Sequence, residues 1–166
     1  MIIFRADANE TVATGHLMRC MTIADACREK GMECEFWLAE DKETERLRQA
    51  GFSYRILGSQ WDDLEKELPF LERQLDDFDR QGEKVTYLIA DSYQATPYYL
   101  GKLNDRIPVL YIDDMRMQIY PVAAVLQYIP VRAENSLNKE ESKQNTPVYL
   151  RGFRYAPLRK EFLKSF

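Results

Sequence analysis

Short apolar segments recur along this chain, and stretches with helical spacing lie between them. Residues 2–6, 34–38, 85–90 and 109–112 read as strands, with 54–57, 123–127 and 148–150 as weaker ones. Several are apolar nearly throughout instead of alternating with polar residues. A strand that is apolar on both sides has to be covered on both sides. Parallel pairing requires long crossovers, and the intervening helices supply both crossover and cover. The expected fold is therefore α/β: a Rossmann-like parallel sheet with helices on both faces.

The helical stretches carry their own boundaries. Leu17, Cys20, Met21, Ala24 and Cys27 recur at helical spacing, and Lys30 and Gly31 close that helix with a cation and a left-handed cap. A short charged helix is expected over 41–50, stopped by Gly51. A long helix is expected from Ser59, with Asp62 three residues on as in a capping box, to about Arg80. Leu64, Leu68, Leu71, Leu75 and Phe78 would form its buried stripe. Thr96-Pro97 reads as an N-cap followed by proline at the first helical position. Residues 132–146 are polar and read as a loop, and 157–166 read as a helix.

Composition narrows the function classes. The 166 residues suit one domain, and a chain of this size buries roughly 70% of its unfolded surface without needing a disulfide or metal staple. A net charge of −4 argues against general affinity for nucleic acid or an anionic membrane. No apolar stretch approaches the ~20 residues of a membrane span. The first residues are too quickly charged for a signal peptide, so a cytoplasmic location is expected. Cys20, Cys27 and Cys34 make an odd count without a Cys-x-x-Cys pair, and read as reduced, half-buried thiols. With one histidine they do not supply a usual zinc set. Neither a metal nor a cofactor is expected.

In an open parallel sheet, ligands bind beyond the carboxyl ends of the strands. The polar residues there are Arg5, Asp7 and Asn9 after the first strand, Asp91, Ser92 and Tyr93 after the fourth, and Asp113 and Asp114 after the fifth. His16, the only histidine, stands on the elbow between the first strand and its helix. Imidazole exchanges protons near neutrality, so a histidine there is a candidate base. Capping or packing against the helix start is the alternative. Gly15 leaves backbone room at a helix N-terminus, which favours an anion, but the segment is neither a Gly-x-Gly-x-x-Gly nor a Walker loop. For the strand-end aspartates three uses stay open: contacts to sugar hydroxyls, solvation at loop starts, or a magnesium site. Tyr93 is either a hydrogen-bonding partner at the mouth of the crevice or one of ten tyrosines without a role.

Four segments resemble one known family. Phe4-Arg5-Ala6-Asp7 with Thr14-Gly15-His16-Leu17-Met18-Arg19-Cys20 is similar to the N-terminal signature of the UDP-2,4-diacetamido-2,4,6-trideoxy-β-L-altropyranose hydrolases of pseudaminic acid biosynthesis. These are often grouped with spore-coat polysaccharide biosynthesis proteins. Leu88-Ile89-Ala90-Asp91-Ser92-Tyr93 resembles the family's strand ending in Asp-His-Tyr, and Val109-Leu110-Tyr111-Ile112-Asp113-Asp114 its strand ending in Asp-Asp. The segment from Gly152 to Phe162 resembles its Gly-x-x-Tyr-Ala-x-Leu-Arg-x-Glu-Phe motif. Ala13 stands where the family has the first glycine of Gly-x-Gly-His, and Ser92 where it has histidine.

The resemblance implies the N-terminal half of a two-domain GT-B architecture, whose C-terminal nucleotide-binding domain is supplied in cis or in trans. It implies hydrolysis of a UDP-linked amino-deoxy sugar at its anomeric carbon, releasing UDP. His16 would be the base and Tyr93 an active-site partner. Arg5, Asp7, Gly15, Arg19, Asp91, Ser92, Asp113 and Asp114 would line the substrate site. The isolated chain would then be inactive, and its open cleft face would favour self-association. A glycosyltransferase-type domain and a non-catalytic carbohydrate- or partner-binding module are the alternatives.

Overall fold

The computed structural model describes residues 1–115, 118–129, 147–159 and 162. Seven strands form one parallel sheet: β1 (Ile2–Ala6), β2 (Cys34–Leu38), β3 (Ser53–Ile56), β4 (Tyr87–Asp91), β5 (Val109–Ile112), β6 (Ala124–Gln127) and β7 (Val148–Arg151). Their spatial order is β3-β2-β1-β4-β5-β6-β7, and every pair is parallel. The helices are α1 (Gly15–Glu29), α2 (Thr44–Gln49), α3 (Leu68–Gln81) and α4 (Pro97–Asn104). The expected α/β, Rossmann-like class is what the chain adopts. Among the described residues no helix is long and apolar enough to cross a membrane.

Two apolar clusters, one on each face, hold the sheet between them. Side chains alternate along a strand, so Ile2, Phe4 and Ala6 pack with Leu17, Cys20, Met21 and Ala24 of α1 and Leu47 of α2. Ile3 turns the other way, to Trp37, Leu88 and Val109 under α3 and α4. Leu68, Leu71, Leu75 and Phe78 are the buried stripe of α3, as their spacing predicts.

The expected long helix from Ser59 begins later. Leu64–Glu67 is a 3₁₀ turn, and α3 starts at Leu68 with Pro69 in its first turn. Proline has no N–H and clashes with the preceding turn, so it starts a helix readily and does not sit inside one. Ser59 is consequently not an N-cap, and its hydroxyl donates to Glu67 Oε2 at 2.6 Å. Similarly α2 starts at Thr44, after Glu43 in the left-handed region. Gly31, Gly51 and Gly82 follow α1, α2 and α3 with positive φ, as helix-ending glycines do. Thr96 caps α4 as expected, its Oγ1 accepting from the Tyr99 N–H at 3.1 Å. Near the end, Phe153–Tyr155 is a 3₁₀ turn and residues 157–159 are not helical, so the helix expected there does not begin at Pro157. The expected loop over 132–146 and most of 160–166 lie outside the described residues.

Candidate functional site

The strand order reverses between β1 and β4, which opens a crevice at their carboxyl ends. Ala6 and Asp91 are register partners there. α1 begins above this point, after a loop that Asn9 shapes by accepting from the Thr11 and Val12 N–H groups at 2.8 and 2.6 Å. Gly15 opens the helix, and a Cβ there would meet nothing within 4 Å. The helix start is therefore open, although no side chain caps it.

His16 and Arg19 lie one helical turn apart and both reach Asp91. His16 Nδ1 is 2.5 Å from Asp91 Oδ1, and the carboxylate is 1% exposed. An ionised carboxylate only accepts, so at this distance Nδ1 carries the hydrogen. In the neutral ring the lone pair is then on Nε2, which makes no hydrogen bond among the described residues. Arg19 grips the same carboxylate with two donors: Nε to Oδ2, and Nη2 to Oδ1 at 2.5 Å. Its Nη1 donates to Asp114 Oδ2 at 2.6 Å and to Tyr128 Oη at 3.1 Å. The Nη2 nitrogen also lies 3.1 Å from His16 Nδ1, because both donors converge on one oxygen.

Tyr93 completes the cluster. Its hydroxyl donates to Asp114 Oδ2 at 3.1 Å, and its ring meets His16 edge-on, with centroids 4.6 Å apart and planes at 79°. The His16 side chain is buried, whereas Tyr93 is 58% exposed. Tyr93 therefore forms the outer wall of a cavity of about 440 Å³ lined also by Thr11, Val12, Ala13, Gly15, His16, Arg19, Trp61 and Gln94.

The electrostatics follow from these contacts. Burial alone would raise the Asp91 carboxyl, but the hydrogen bonds from Arg19 and His16 and the charge of Arg19 outweigh it and hold the group below its ordinary value. Burial opposes the charge on Arg19, and the same hydrogen bonds to Asp91 more than compensate. The Tyr93 phenol is held above its ordinary value, first by burial and then by the Asp114 carboxylate. It stays a proton donor at neutral pH. Burial pushes the Cys20 thiol well up, and the charge of Asp91 adds to this. Cys20, 3.8 Å from Asp91 Oδ2, is thus an inert neighbour.

Of the residues expected in the site, His16, Arg19, Asp91, Tyr93 and Asp114 are brought together, with Gly15 at the rim. Arg5 and Asp7 are in a second, buried network instead. Arg5 donates to Glu67 from Nε at 2.7 Å and from Nη2 at 3.0 Å, and to Asp7 Oδ2 from Nη1 at 2.6 Å. Asp7 Oδ1 accepts from the Ala39 N–H at 2.7 Å. Asp113 accepts from the Met115 N–H and, at 3.0 Å, from Gln127 Nε2. Ser92 accepts from the Gln94 N–H through its hydroxyl, and from Tyr111 Oη through its carbonyl. Among the described residues no three His, Cys, Asp or Glu side chains are placed to hold a metal ion.

Three residues of these networks escape the sequence reading. Trp61 lines the cavity from the segment expected to be helical. Tyr128 reaches Arg19 from beyond β6. Glu67, buried, also accepts from Tyr99 Oη at 2.7 Å. Its signal was present: it stands four residues before Leu71, so a carboxylate falls on the apolar stripe of a helix and must find donors there.

No family model and no curated protein matches the sequence. A solved structure similar to the chain is that of a ugt transferase from Siraitia grosvenorii in complex with UDP. The two are 12% identical with a TM-score of 0.48, over 67% of this chain and 23% of that one. The matched region thus spans less than a quarter of that protein's length.

Proposed function

We propose that this chain is the half of a two-domain UDP-sugar enzyme that binds the sugar and supplies the catalytic base, and that it hydrolyses a UDP-linked amino-deoxy sugar. The observation that carries the reading is the 2.5 Å contact between His16 Nδ1 and Asp91 at the wall of the cavity. It fixes the tautomer in which Nε2 is the proton acceptor. The choice of substrate class rests on the resemblance of the strand-end segments to a family of UDP-sugar hydrolases.

In the reaction, Nε2 takes a proton from water. The water oxygen bonds to the anomeric carbon, the bond from that carbon to the diphosphate oxygen breaks, and its electron pair leaves with UDP. Asp91 lies against the ring as it gains positive charge, and Arg19 holds Asp91 in place. Diphosphate is a good leaving group, so positioning and electrostatic stabilisation do most of the work. The second domain would hold the nucleotide.

The test is His16→Ala in the chain combined with a C-terminal nucleotide-binding half, with UDP release followed across a panel of UDP-linked amino-deoxy sugars. Turnover is expected to fall about 10²- to 10⁴-fold with UDP affinity nearly unchanged. Unchanged turnover rejects the role.

A second reading is favoured by the cavity wall, where Val12, Ala13, Trp61 and Tyr93 present apolar surface. The same base would then deprotonate the hydroxyl of an apolar acceptor, making the protein a transferase. Glycoside formed only when such an acceptor is added selects this reading, and free sugar formed without it selects the hydrolase.

A further inference from the structure

The two tryptophans of the chain have opposite surroundings. Trp37 lies in the core under α3, fully buried, with its ring stacked on Phe78 and its Nε1 donating to Glu35 Oε1 at 2.7 Å. Trp61 is partly buried, yet it packs in neither apolar cluster. Among the described residues its ring pairs with no aromatic ring or cation, and its indole N–H makes no hydrogen bond. It lines the cavity of His16 instead. The largest apolar side chain is thus spent on the cavity wall and not on the core.

The loop that carries Trp61 is pinned on both sides. Before it, the Leu57 and Ser59 N–H groups donate to the Leu38 and Ala39 carbonyls at 2.8 and 3.2 Å, and the Ser59 hydroxyl holds Glu67. After it, the Asp63 N–H closes a turn onto the Gln60 carbonyl at 3.3 Å, and Leu64 is buried. The ring stands on a fixed frame before any ligand arrives.

We infer that Trp61 is the specificity-determining residue of the cavity, its ring stacking on the C–H face of the sugar whose anomeric carbon is presented to His16. The inference rests on the reading of His16 as a base acting on a UDP-linked sugar.

The match is one of two-sided shapes. A pyranose carries hydroxyls around its rim and C–H groups on its faces, and polarised C–H hydrogens are drawn to the negative face of an aromatic ring. The cavity is also two-sided, with Val12, Ala13, Trp61 and Tyr93 against the polar groups of His16 and Arg19. Uracil could stack on an indole as well. The atom that water attacks, however, belongs to the sugar ring, and that ring must share the cavity with Nε2. Ribose and diphosphate separate uracil from it. Trp61 then selects among sugars, because a hydroxyl or charge standing up from the stacked face would lose water against the indole without gaining a partner.

The test titrates the whole chain with N-acetylglucosamine, N-acetylgalactosamine, L-fucose and L-rhamnose, read by tryptophan emission and by saturation-transfer NMR, with UDP and cyclohexanol as comparison ligands. At least one sugar is expected to saturate with a Kd of about 1 mM and to shift the emission to the blue as the Trp61 ring loses water. Trp61→Phe should abolish the shift, since Trp37 is sealed in the core, and should change the NMR affinity by no more than about threefold. Trp61→Ala should weaken it about tenfold. The phenylalanine variant keeps a ring, so it separates loss of the stacking face from damage to the fold. Affinity that Trp61→Ala leaves within about twofold of wild type, or emission that answers to UDP or cyclohexanol and to none of the sugars, overturns the inference and leaves His16 as the base. Absence of sugar binding in the wild-type chain overturns it together with the reading of this half as the one that binds the sugar.

Discussion

Replacing Asp91 with asparagine tests the centre of the site without changing its shape. The carboxylate accepts from two Arg19 donors and from His16 Nδ1. An asparagine offers one acceptor oxygen and turns an N–H toward the remaining donors. Breaking a buried ion pair by removing one partner costs about 3–5 kcal/mol. Arg19 keeps Asp114 at 2.6 Å and Tyr128 at 3.1 Å, and its side chain is 12% exposed, so the lower end applies. A loss of about 3 kcal/mol is expected at pH 7, or roughly 6–12 °C in Tm. The pH dependence supplies the sharper check. The folded-state value of Asp91 lies below its ordinary 3.8. Its stabilising contribution is therefore fully present above that value and is lost as pH falls through the folded one. Urea unfolding followed by circular dichroism should show the gap between wild type and Asp91→Asn unchanged from pH 7 to pH 5 and narrowing between pH 5 and pH 3. A gap below about 1 kcal/mol at pH 7, or one that does not narrow on acidification, would refute the argument that Asp91 is a buried, ionised acceptor.

Other perturbations address the scaffold. Glu67→Leu removes the acceptor shared by Arg5, Tyr99 and Ser59 and should cost about 3–5 kcal/mol in urea unfolding. Adding Arg5→Met should recover part of that loss, because no buried cation is then left under-partnered, and a loss below 1 kcal/mol for Glu67→Leu alone contradicts the reading. Thr96→Ala deletes the cap of α4 and the 2.6 Å bond to Glu65. It should cost about 1 kcal/mol, seen as a Tm lower by roughly 2–4 °C, and an unchanged Tm would show that the cap contributes nothing.

The fold was legible because its determinants are local. The apolar runs place the strands to within a residue or two, and Gly31, Gly51 and Thr96 mark helix ends by conformational needs that do not depend on distant contacts. The failure at Ser59 is equally local: a serine with an acid three residues on looks like a cap, but Pro69 settles the helix start ten residues later. The site was harder to read because its contacts join residues far apart in sequence. The sequence grouped Arg5, Asp7, Asp91, Asp113 and Asp114 as strand-end residues, without sorting them.

Strand parity does the sorting. Side chains alternate sides along each strand, and α1 covers the side that takes Phe4, Ile89, Ile112 and Leu126. Asp91 is two residues beyond Ile89, Asp114 two beyond Ile112 and Tyr128 two beyond Leu126. All three therefore point to the α1 side, and all three meet Arg19. Arg5 follows Ile3, and Gln127 follows Val125, on the side covered by α3 and α4. Arg5 accordingly meets Glu67 from the 3₁₀ turn that leads into α3, and Asp113 pairs with Gln127. One row of strand ends thus yields two polar networks with different consequences. The one on the α3 side is enclosed, and its carboxylates are occupied by protein donors. The one on the α1 side borders the cavity and leaves one imidazole nitrogen unengaged among the described residues. A base needs room for substrate to approach it, so of the two networks only the one containing His16 has the access that the role proposed for it requires.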